Sequence, residues 1–417
     1  MPLDDVPRWV IEVAFAIYAL IITVVVVLER RRPTTTLALV LAIVFVPIGG
    51  LMVYLLFVRR RVRQLRRRER RIVRPFDAMR RFVRVDELPD SMSPLQRSLV
   101  KLAIATAAAP VRRADTATVL SDPAATFAEI GRKIDSADRF VHVLFYIWRA
   151  DDTGRELVAR LAARARAGVK VRVLIDHLGS IGLSDDHFAP LVEAGGEVAR
   201  YARLRFPLLP WRSRLNYRNH RKLVVVDGET GFIGGANVGD EYSGRAVART
   251  RWRDLMVELH GDAVLGLDAV FLEDWLTATG QVVDLQGARA KQIAHLDARR
   301  PAAGRWRGEP ARDKALRDAN PFAALPPRAA RSQGPLVQVI PSGPDAPTVD
   351  AIASQIVASI AAASQRMWMV TPYFVPDEPL MQTLRTAALR GVDVRIVVPA
   401  PAVNDSRLVA LAAASYY

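Results

Sequence analysis

An imidazole and an ammonium group lie two residues apart in the segment NHRKLVVVDGETGFIGGANVGDEY, residues 219–242. They belong to His220 and Lys222, and side chains two apart on a strand face the same side. The pair suits a phosphate ester, because one group can attack phosphorus while the other holds the phosphate oxygens. Gly235 allows close backbone approach, and Asn237 can donate a hydrogen bond to a phosphate oxygen. The segment therefore predicts a site for a phosphate ester.

The full spacing of this segment resembles the HKD motif of the phospholipase D superfamily. Asp227 follows Lys222 after four residues, a glycine follows after six more, and Asn237 lies three beyond that glycine. The resemblance implies that His220, Lys222 and Asp227 are catalytic. The histidine would be one of a reacting pair, the lysine would hold phosphate, and the aspartate would organise the site. It also implies that Asn237 and Gly235 bind substrate, and that no metal or other cofactor takes part.

Further segments of the chain form a wider pattern: GGANVGDEY from residue 234, Arg253-Asp254, Phe271 to Trp275, Ser342 to Asp345, TPYFVPDEPL from Thr371, ALRGVDVRIVVP from Ala388, and Asn404 to Ser406. In these segments the chain resembles bacterial cardiolipin synthases, and the resemblance covers nearly the whole chain apart from one long linker. It implies an enzyme that transfers a phosphatidyl group between two phosphatidylglycerol molecules through a phosphohistidine, giving cardiolipin and glycerol. The implied partners are these anionic phospholipids and the membrane, with no nucleic acid.

A strand–helix–strand pattern precedes the motif and occurs twice in the chain. GVKVRVLID at residues 168–176 matches GVDVRIVVP at residues 391–399 with an offset of 223, and Arg139-Phe140 aligns with Arg366-Met367. Apolar strands alternating with helices predict a parallel α/β sheet in each copy. The predicted elements are helices at 127–137, 154–167, 352–363 and 380–389, strands at 140–148, 168–176, 366–374 and 391–399, and a hairpin that begins at 223–226.

The duplication predicts a second HKD motif near position 443, beyond Tyr417. We therefore expect the second domain to be incomplete, with an open sheet edge. The favoured expectation is that the sequence is a fragment of a longer enzyme. The alternatives are a truncated, inactive relative and a homo-oligomer in which two copies of His220 face each other.

The composition favours a membrane protein beside an anionic surface. The chain is 51% hydrophobic with a formal net charge of +16, and ten arginines with a single acid lie at residues 59–74. Apolar runs at 9–28 and 37–58 are each long enough to span a bilayer as a helix. The arginine counts on their flanks place both ends in the cytoplasm. This predicts a multi-pass protein of the bacterial inner membrane with a cytoplasmic catalytic domain.

These observations predict a fold with two N-terminal transmembrane helices followed by duplicated phospholipase D-like α/β domains. The sheets would be mostly parallel or mixed and flanked by helices. The predicted boundaries are a transmembrane hairpin at 1–60, a basic helical connector at 61–115, a first domain with the motif at 116–287, a linker at 288–335 and a partial second domain at 336–417.

Two other functions remain open from the motif itself. A phospholipase D-type phosphodiesterase would release headgroups to water, and a catalytically inactive membrane-tethered scaffold would only bind. The motif does not separate transfer from hydrolysis, while the wider resemblance favours transfer. A nuclease is disfavoured by the two apolar runs. The absence of cysteine excludes disulfides and thiolate chemistry, and the sequence lacks the Walker A, G-x-S-x-G and H-E-x-x-H patterns.

Overall fold

The computed structural model describes residues 88–107, 109–203, 218–246, 252–281, 283, 334–343 and 350–398, with isolated residues 7, 24, 36, 37, 40, 41 and 45. The chain forms two compact units, residues 1–71 with 202–218 and residues 72–201 with 219–417. All elements below belong to the second unit. The predicted spans lie outside the described residues except at those isolated positions, and the predicted linker lies outside them up to residue 333. Among the described residues, no helix combines the length and apolar character that a bilayer crossing requires.

The helices and strands alternate along the second unit as an α/β pattern. In chain order they are α1 Pro94–Ala107, β1 Val111–Arg113, β2 Thr116–Leu120, α2 Pro123–Asp135, β3 Phe140–Phe145, α3 Asp152–Arg166, β4 Lys170–Asp176, α4 Ala189–Glu193, β5 Glu197–Tyr201, β6 Leu223–Val226, β7 Thr230–Gly234, α5 Asp240–Ser243, β8 Met256–His260, α6 Val264–Thr279, β9 Leu336–Gln338, α7 Ala351–Ala362, β10 Arg366–Val370, α8 Glu378–Leu389 and β11 Asp393–Val397.

Seven of the strands form one mixed sheet in the order β2-β8-β7-β6-β3-β4-β5. β3, β4 and β5 are parallel neighbours, joined by crossover connections that contain helices. From β3 to β2 every neighbouring pair is antiparallel. The α/β prediction is confirmed, with parallel pairing where the strand–helix–strand pattern indicated it. The hairpin that begins at residue 223 supplies the antiparallel part.

The central strand β3 is buried on both faces, as its nearly continuous apolar sequence indicates. Val141 and Val143 belong to the core that β3 shares with α2 and α3. His142, one residue along, faces α6 instead. Its ring stacks on Phe271 with centroids 4.4 Å apart, and its Nδ1 lies 2.7 Å from Asp268 Oδ1. Helices therefore cover both sides of the sheet, which leaves its strand ends as the accessible places.

The second copy forms a smaller layer with its own core. β10 and β11 pair in parallel, and a separate buried cluster includes Ile360, Leu384 and Val392. β9, the first element of this half, pairs antiparallel with β1 at residues 111–113. The sequence predicted a helical connector through residue 115, and the structure differs there. Val111–Arg113 is extended because it has a strand partner more than 200 residues away, which local propensity cannot reveal.

Strand register corrects the predicted alignment of the two copies. Phe140 pairs with Lys170 in the first copy, and Arg366 pairs with Asp393 in the second. Lys170 and Asp393 occupy the same position in the matching strands, so the counterpart of Arg366 is Phe140. The predicted match of Arg139 with Arg366 was wrong by one residue. A one-residue slip exchanges the two faces of a strand, so the structural register decides which face each residue occupies.

Candidate active site

The strand order brings the predicted site residues to one end of the sheet. The end of β3 lies beside the start of β6, because Leu144 pairs with Leu223. The end of β7 lies beside the start of β8, because Gly234 pairs with Met256. The residues just outside these strand ends therefore converge. We call this region the site edge; it comprises Tyr146, Asp176, His220, Lys222, Gly235, Asn237 and Asp254.

His220 and Lys222 are close neighbours at the site edge. The Lys222 ammonium donates a hydrogen bond to the carbonyl oxygen of His220 at 2.7 Å. The His220 ring stacks on the ring of Tyr146, with centroids 3.8 Å apart and planes at 19°. His220 remains exposed to solvent. The structure thus brings the imidazole and the ammonium together, and leaves the imidazole accessible to a ligand.

The environment of His220 favours its neutral form. Although His220 is exposed, neighbouring groups remove part of the water around its ring. This partial desolvation lowers the pKa of the imidazole from its ordinary value of 6.5, and the positive charge of Lys222 lowers it further. The negative charge of Asp176 opposes this shift. A neutral imidazole has a ring nitrogen with a free electron pair, which is the form that attack on phosphorus needs.

Lys222 and Asp254 form a second electrostatic pair. Burial lowers the pKa of the Lys222 ammonium, and the charge of Asp254 works against that shift. Burial also raises the pKa of the Asp254 carboxyl, and Lys222 opposes it. Both partners are therefore partly desolvated. In this setting an ammonium interacts more strongly with a phosphate anion than it would in water.

Asp176 anchors the backbone just before His220. This buried carboxylate is the last residue of β4, and its Oδ2 accepts the N–H of Asn219 at 2.9 Å. Its Oδ1 accepts the N–H groups of Leu178 and Gly179 at 2.9 and 3.0 Å. Charge-assisted bonds of this kind are among the stronger ones in proteins. The sequence interpretation did not identify Asp176, although a carboxylate that ends an apolar strand is a usable signal.

Asn237 and Gly235 lie at the site edge with much of their hydrogen-bonding capacity already in use. Asn237 Oδ1 accepts the N–H of Ile147 at 3.0 Å, and the amide lies near Tyr242, whose pKa it tends to lower. Burial raises the pKa of Tyr242 to about 12. The Gly235 N–H donates to Leu255 O at 2.9 Å. A Cβ on Gly235 would collide with the Asp254 carboxylate, so the missing side chain makes room for that acid.

Asp227 lies at the opposite end of the sheet. β6 separates it from Lys222, and the two positions are about 17 Å apart along an extended chain. Its carboxylate accepts the backbone N–H groups of Asp138, Arg139 and Phe140 at 2.8 to 2.9 Å. Asp227 also has a positive φ of 55°, which makes the turn into β7. The sequence interpretation grouped Asp227 with the catalytic residues, but the structure separates them because the motif spans a full hairpin.

We expect Asp227→Ala to lower the free energy of unfolding by about 2–4 kcal/mol, because three backbone donors lose a charged acceptor. Asp227→Asn should cost less, since an amide oxygen can replace Oδ1 and accept two of the three bonds. Urea unfolding followed by circular dichroism measures both. Asp90→Ala, at an exposed carboxylate, is the matched control and should leave the midpoint unchanged. A normal midpoint for Asp227→Ala, combined with lost turnover, would contradict the structural role.

Arg221 points away from His220 and Lys222, as alternation along the chain requires. Its guanidinium pairs with the buried Asp274 of α6 and donates to the carbonyl of Ser342 at 3.2 Å. Arg221, between His220 and Lys222, thus connects the first copy to the first segment of the second copy.

In the described part of the chain, no group of three or more His, Cys, Asp or Glu residues is arranged to hold a metal ion.

Comparison with known proteins yields a family and several close relatives. The family model described as "Cardiolipin synthase, PLD-like domain" matches residues 130–275 and 356–417. The cardiolipin synthase of Geobacillus kaustophilus is 34% identical over 89% of this chain and 66% of its own length. Cardiolipin synthase 1 of Bacillus cereus is 32% identical over 91% of this chain and 69% of its own length. The chain thus spans about two thirds of the length of these relatives. Among solved structures, phosphatidylserine synthase of Haemophilus influenzae is similar with a TM-score of 0.46 and 15% identity, over 73% of this chain and 66% of that one.

Proposed function

This chain belongs to the cardiolipin synthase family of phospholipase D-like proteins, and we propose that its site transfers a phosphatidyl group between two phosphatidylglycerol molecules. The products are cardiolipin and glycerol. The observation that carries the proposal is the accessible His220 imidazole stacked on Tyr146 beside Lys222, with its pKa lowered by partial desolvation and by the charge of Lys222. A neutral imidazole beside a partly desolvated ammonium is the pair that attack on a phosphodiester requires.

In the first step, the electron pair of a His220 ring nitrogen attacks phosphorus. The N–P bond forms while the P–O bond to glycerol breaks, and the glycerol oxygen leaves with the bonding electrons. That oxygen takes a proton from a donor on the far side of phosphorus, because in-line displacement puts nucleophile and leaving group on opposite faces. In the second step, a hydroxyl of another phosphatidylglycerol attacks phosphorus. The N–P bond breaks, the ring nitrogen recovers its electron pair, and a base takes the hydroxyl proton.

The other residues of the site edge support these two groups. Lys222 binds the phosphate oxygens, and the nearby charge of Asp254 favours the protonated ammonium. Asp176 positions His220 through the N–H of Asn219. Asn237 holds the turn that follows β7 against Ile147 at the site edge, where its amide would contact the phosphate. Gly235 contributes space there, since its N–H is already bonded.

We further propose that the N-terminal segment brings this site to its lipid substrates. The apolar runs at 9–28 and 37–58 would span the bacterial inner membrane with both ends cytoplasmic. The arginine-rich stretch at 59–74 would then lie along the anionic leaflet, where each basic residue contributes about 1 kcal/mol of attraction. Support for this arrangement comes from the sequence.

A donor with a good leaving group tests the first step. In phosphatidyl-p-nitrophenol the leaving phenolate needs no proton, so attack by His220 does not depend on a general acid. We expect the full chain, in detergent micelles, to release a burst of nitrophenolate equal to the enzyme present. We also expect an acid-labile phosphatidyl adduct on the peptide that contains His220, detected by mass spectrometry.

The acceptor then separates transfer from hydrolysis. Adding phosphatidylglycerol to the trapped adduct should regenerate free His220 and produce cardiolipin. If phosphatidic acid is the sole product, the same residues catalyse hydrolysis, and the chain is a hydrolase rather than a synthase. Absence of both burst and adduct would contradict an enzymatic role for this site.

A further inference from the structure

Tyr146 makes two aromatic contacts at the site edge that the steps above do not use. It is the first residue after β3, where the chain leaves the sheet. Its ring stacks on the His220 imidazole at 3.8 Å between centroids, with planes at 19°. The Lys222 ammonium nitrogen lies 5.5 Å from the centroid of the same ring. One ring therefore contacts both reactive groups of the motif.

The stacked geometry leaves the nucleophile free. The reactive electron pair of an imidazole nitrogen lies in the plane of the ring, at its edge. A ring stacked on the flat face does not obstruct that edge, but it does fix the plane in which the edge points. A near-attack arrangement depends on such orientation. Tyr146 therefore restricts the rotation of His220 without blocking its approach to phosphorus.

The face of an aromatic ring attracts cations, because the ring carries negative charge density above and below its plane. Before reaction, Lys222 is the cation near Tyr146. When the nitrogen of His220 gives its electron pair to phosphorus, the imidazole acquires positive charge. A second cation then lies against the ring of Tyr146, with its centroid 3.8 Å away compared with 5.5 Å for the ammonium nitrogen. Tyr146 interacts more strongly with the reacted ring than with the neutral one, which is the condition for lowering a barrier.

We propose that Tyr146 is a positioning residue that orients the His220 imidazole and stabilises the charged phosphohistidine through its aromatic face. The proposal rests on the proposed function, since it needs a covalent step at His220. It assigns the effect to the ring and not to the hydroxyl. Tyr146 was missed from the sequence because it lies within an apolar run, FVHVLFYIW, most of whose other members are buried.

The test compares Tyr146→Leu with Tyr146→Phe in the burst assay with phosphatidyl-p-nitrophenol. Loss of the ring should slow the burst about tenfold, which is within the range of cation–π contributions. The KM for the donor should change less than twofold, because the neutral ground state loses little. Tyr146→Phe retains the ring and should react at the wild-type rate. Tyr373→Leu, at an exposed tyrosine in the second copy, is the matched control.

A series of fluorinated phenylalanines at position 146 keeps the shape of the ring while it weakens the negative face. The logarithm of the burst rate should fall in step with each added fluorine. This series tests the role of the aromatic face even if Tyr146→Leu fails to fold. An unchanged rate across the series, or a Phe variant as slow as the Leu variant, would overturn the role of the ring. If the wild-type chain forms no adduct at all, the proposed function is contradicted. That result differs from the two above, in which the adduct forms but the ring does not affect the rate.

Discussion

His220→Ala should reduce turnover of phosphatidyl-p-nitrophenol by at least about a thousandfold, because the atom that bonds to phosphorus is removed. The phosphatidyl adduct on the peptide that contains residue 220 should also disappear. The protein should remain folded, since His220 is exposed. Nitrophenolate release and adduct mass, measured on the same samples, check both parts.

His260→Ala is the matched control for this substitution. His260 ends β8 at the far end of the same sheet, where it contacts Glu258 at 2.9 Å. It should retain wild-type turnover, because it lies across the full length of the strand from the site edge. A large loss in His260→Ala, or normal turnover in His220→Ala, would place the chemistry elsewhere.

Lys222→Met should lower turnover by about 10²- to 10³-fold, the range found when one donor to a developing oxyanion is removed. It should also move the acid limb of the pH–rate profile to higher pH. The charge of Lys222 lowers the pKa of His220, so removing that charge raises this pKa. The proposed nucleophile is the neutral imidazole, and a higher pKa means that this form becomes available only at higher pH. Stopped-flow burst rates across the pH range measure the shift.

Lys222→Arg is the control that separates charge from the general effects of substitution. It keeps a positive group near His220, so its acid limb should coincide with that of the wild-type chain. The wild-type profile should also fall at alkaline pH as the ammonium deprotonates, below the ordinary lysine value of 10.5 because burial lowers the pKa of Lys222. The arginine variant should lack that alkaline fall. An acid limb unmoved in Lys222→Met would contradict the electrostatic coupling.

Local pattern was enough to predict the α/β elements around β3 and β4. The apolar run from Phe140 and the motif GVKVRVLID each became strands, and the intervening helix begins within two residues of its prediction. The predicted strand ends were less accurate. The first strand was expected to reach residue 148, but β3 ends at Phe145, where Tyr146 turns toward His220. Apolar character marks burial, and it does not show where a buried chain leaves the sheet.

Contacts between distant segments account for the features that sequence reasoning did not supply. Asp176 lies 43 residues from Asn219, whose N–H it accepts, and no spacing rule joins them. Asp254 was noted within a resembling segment but had no assigned role until its proximity to Lys222 was known. Asp227 is the converse case. Closeness in sequence placed it in the site, while the hairpin carries it to the far end of the sheet.

The site edge is assembled from segments that are far apart in the chain, and this has a consequence for the order of folding. Bonds that shape it close loops of 43 residues between Asn219 and Asp176, and of 90 residues between Ile147 and Asn237. Each such closure costs chain entropy that only the completed sheet offsets. A nascent or partly folded chain therefore has its histidine but lacks the neighbours that orient it. On the proposed function, the site therefore becomes competent only after the sheet is complete, and an unfinished chain would not react with lipid phosphodiesters.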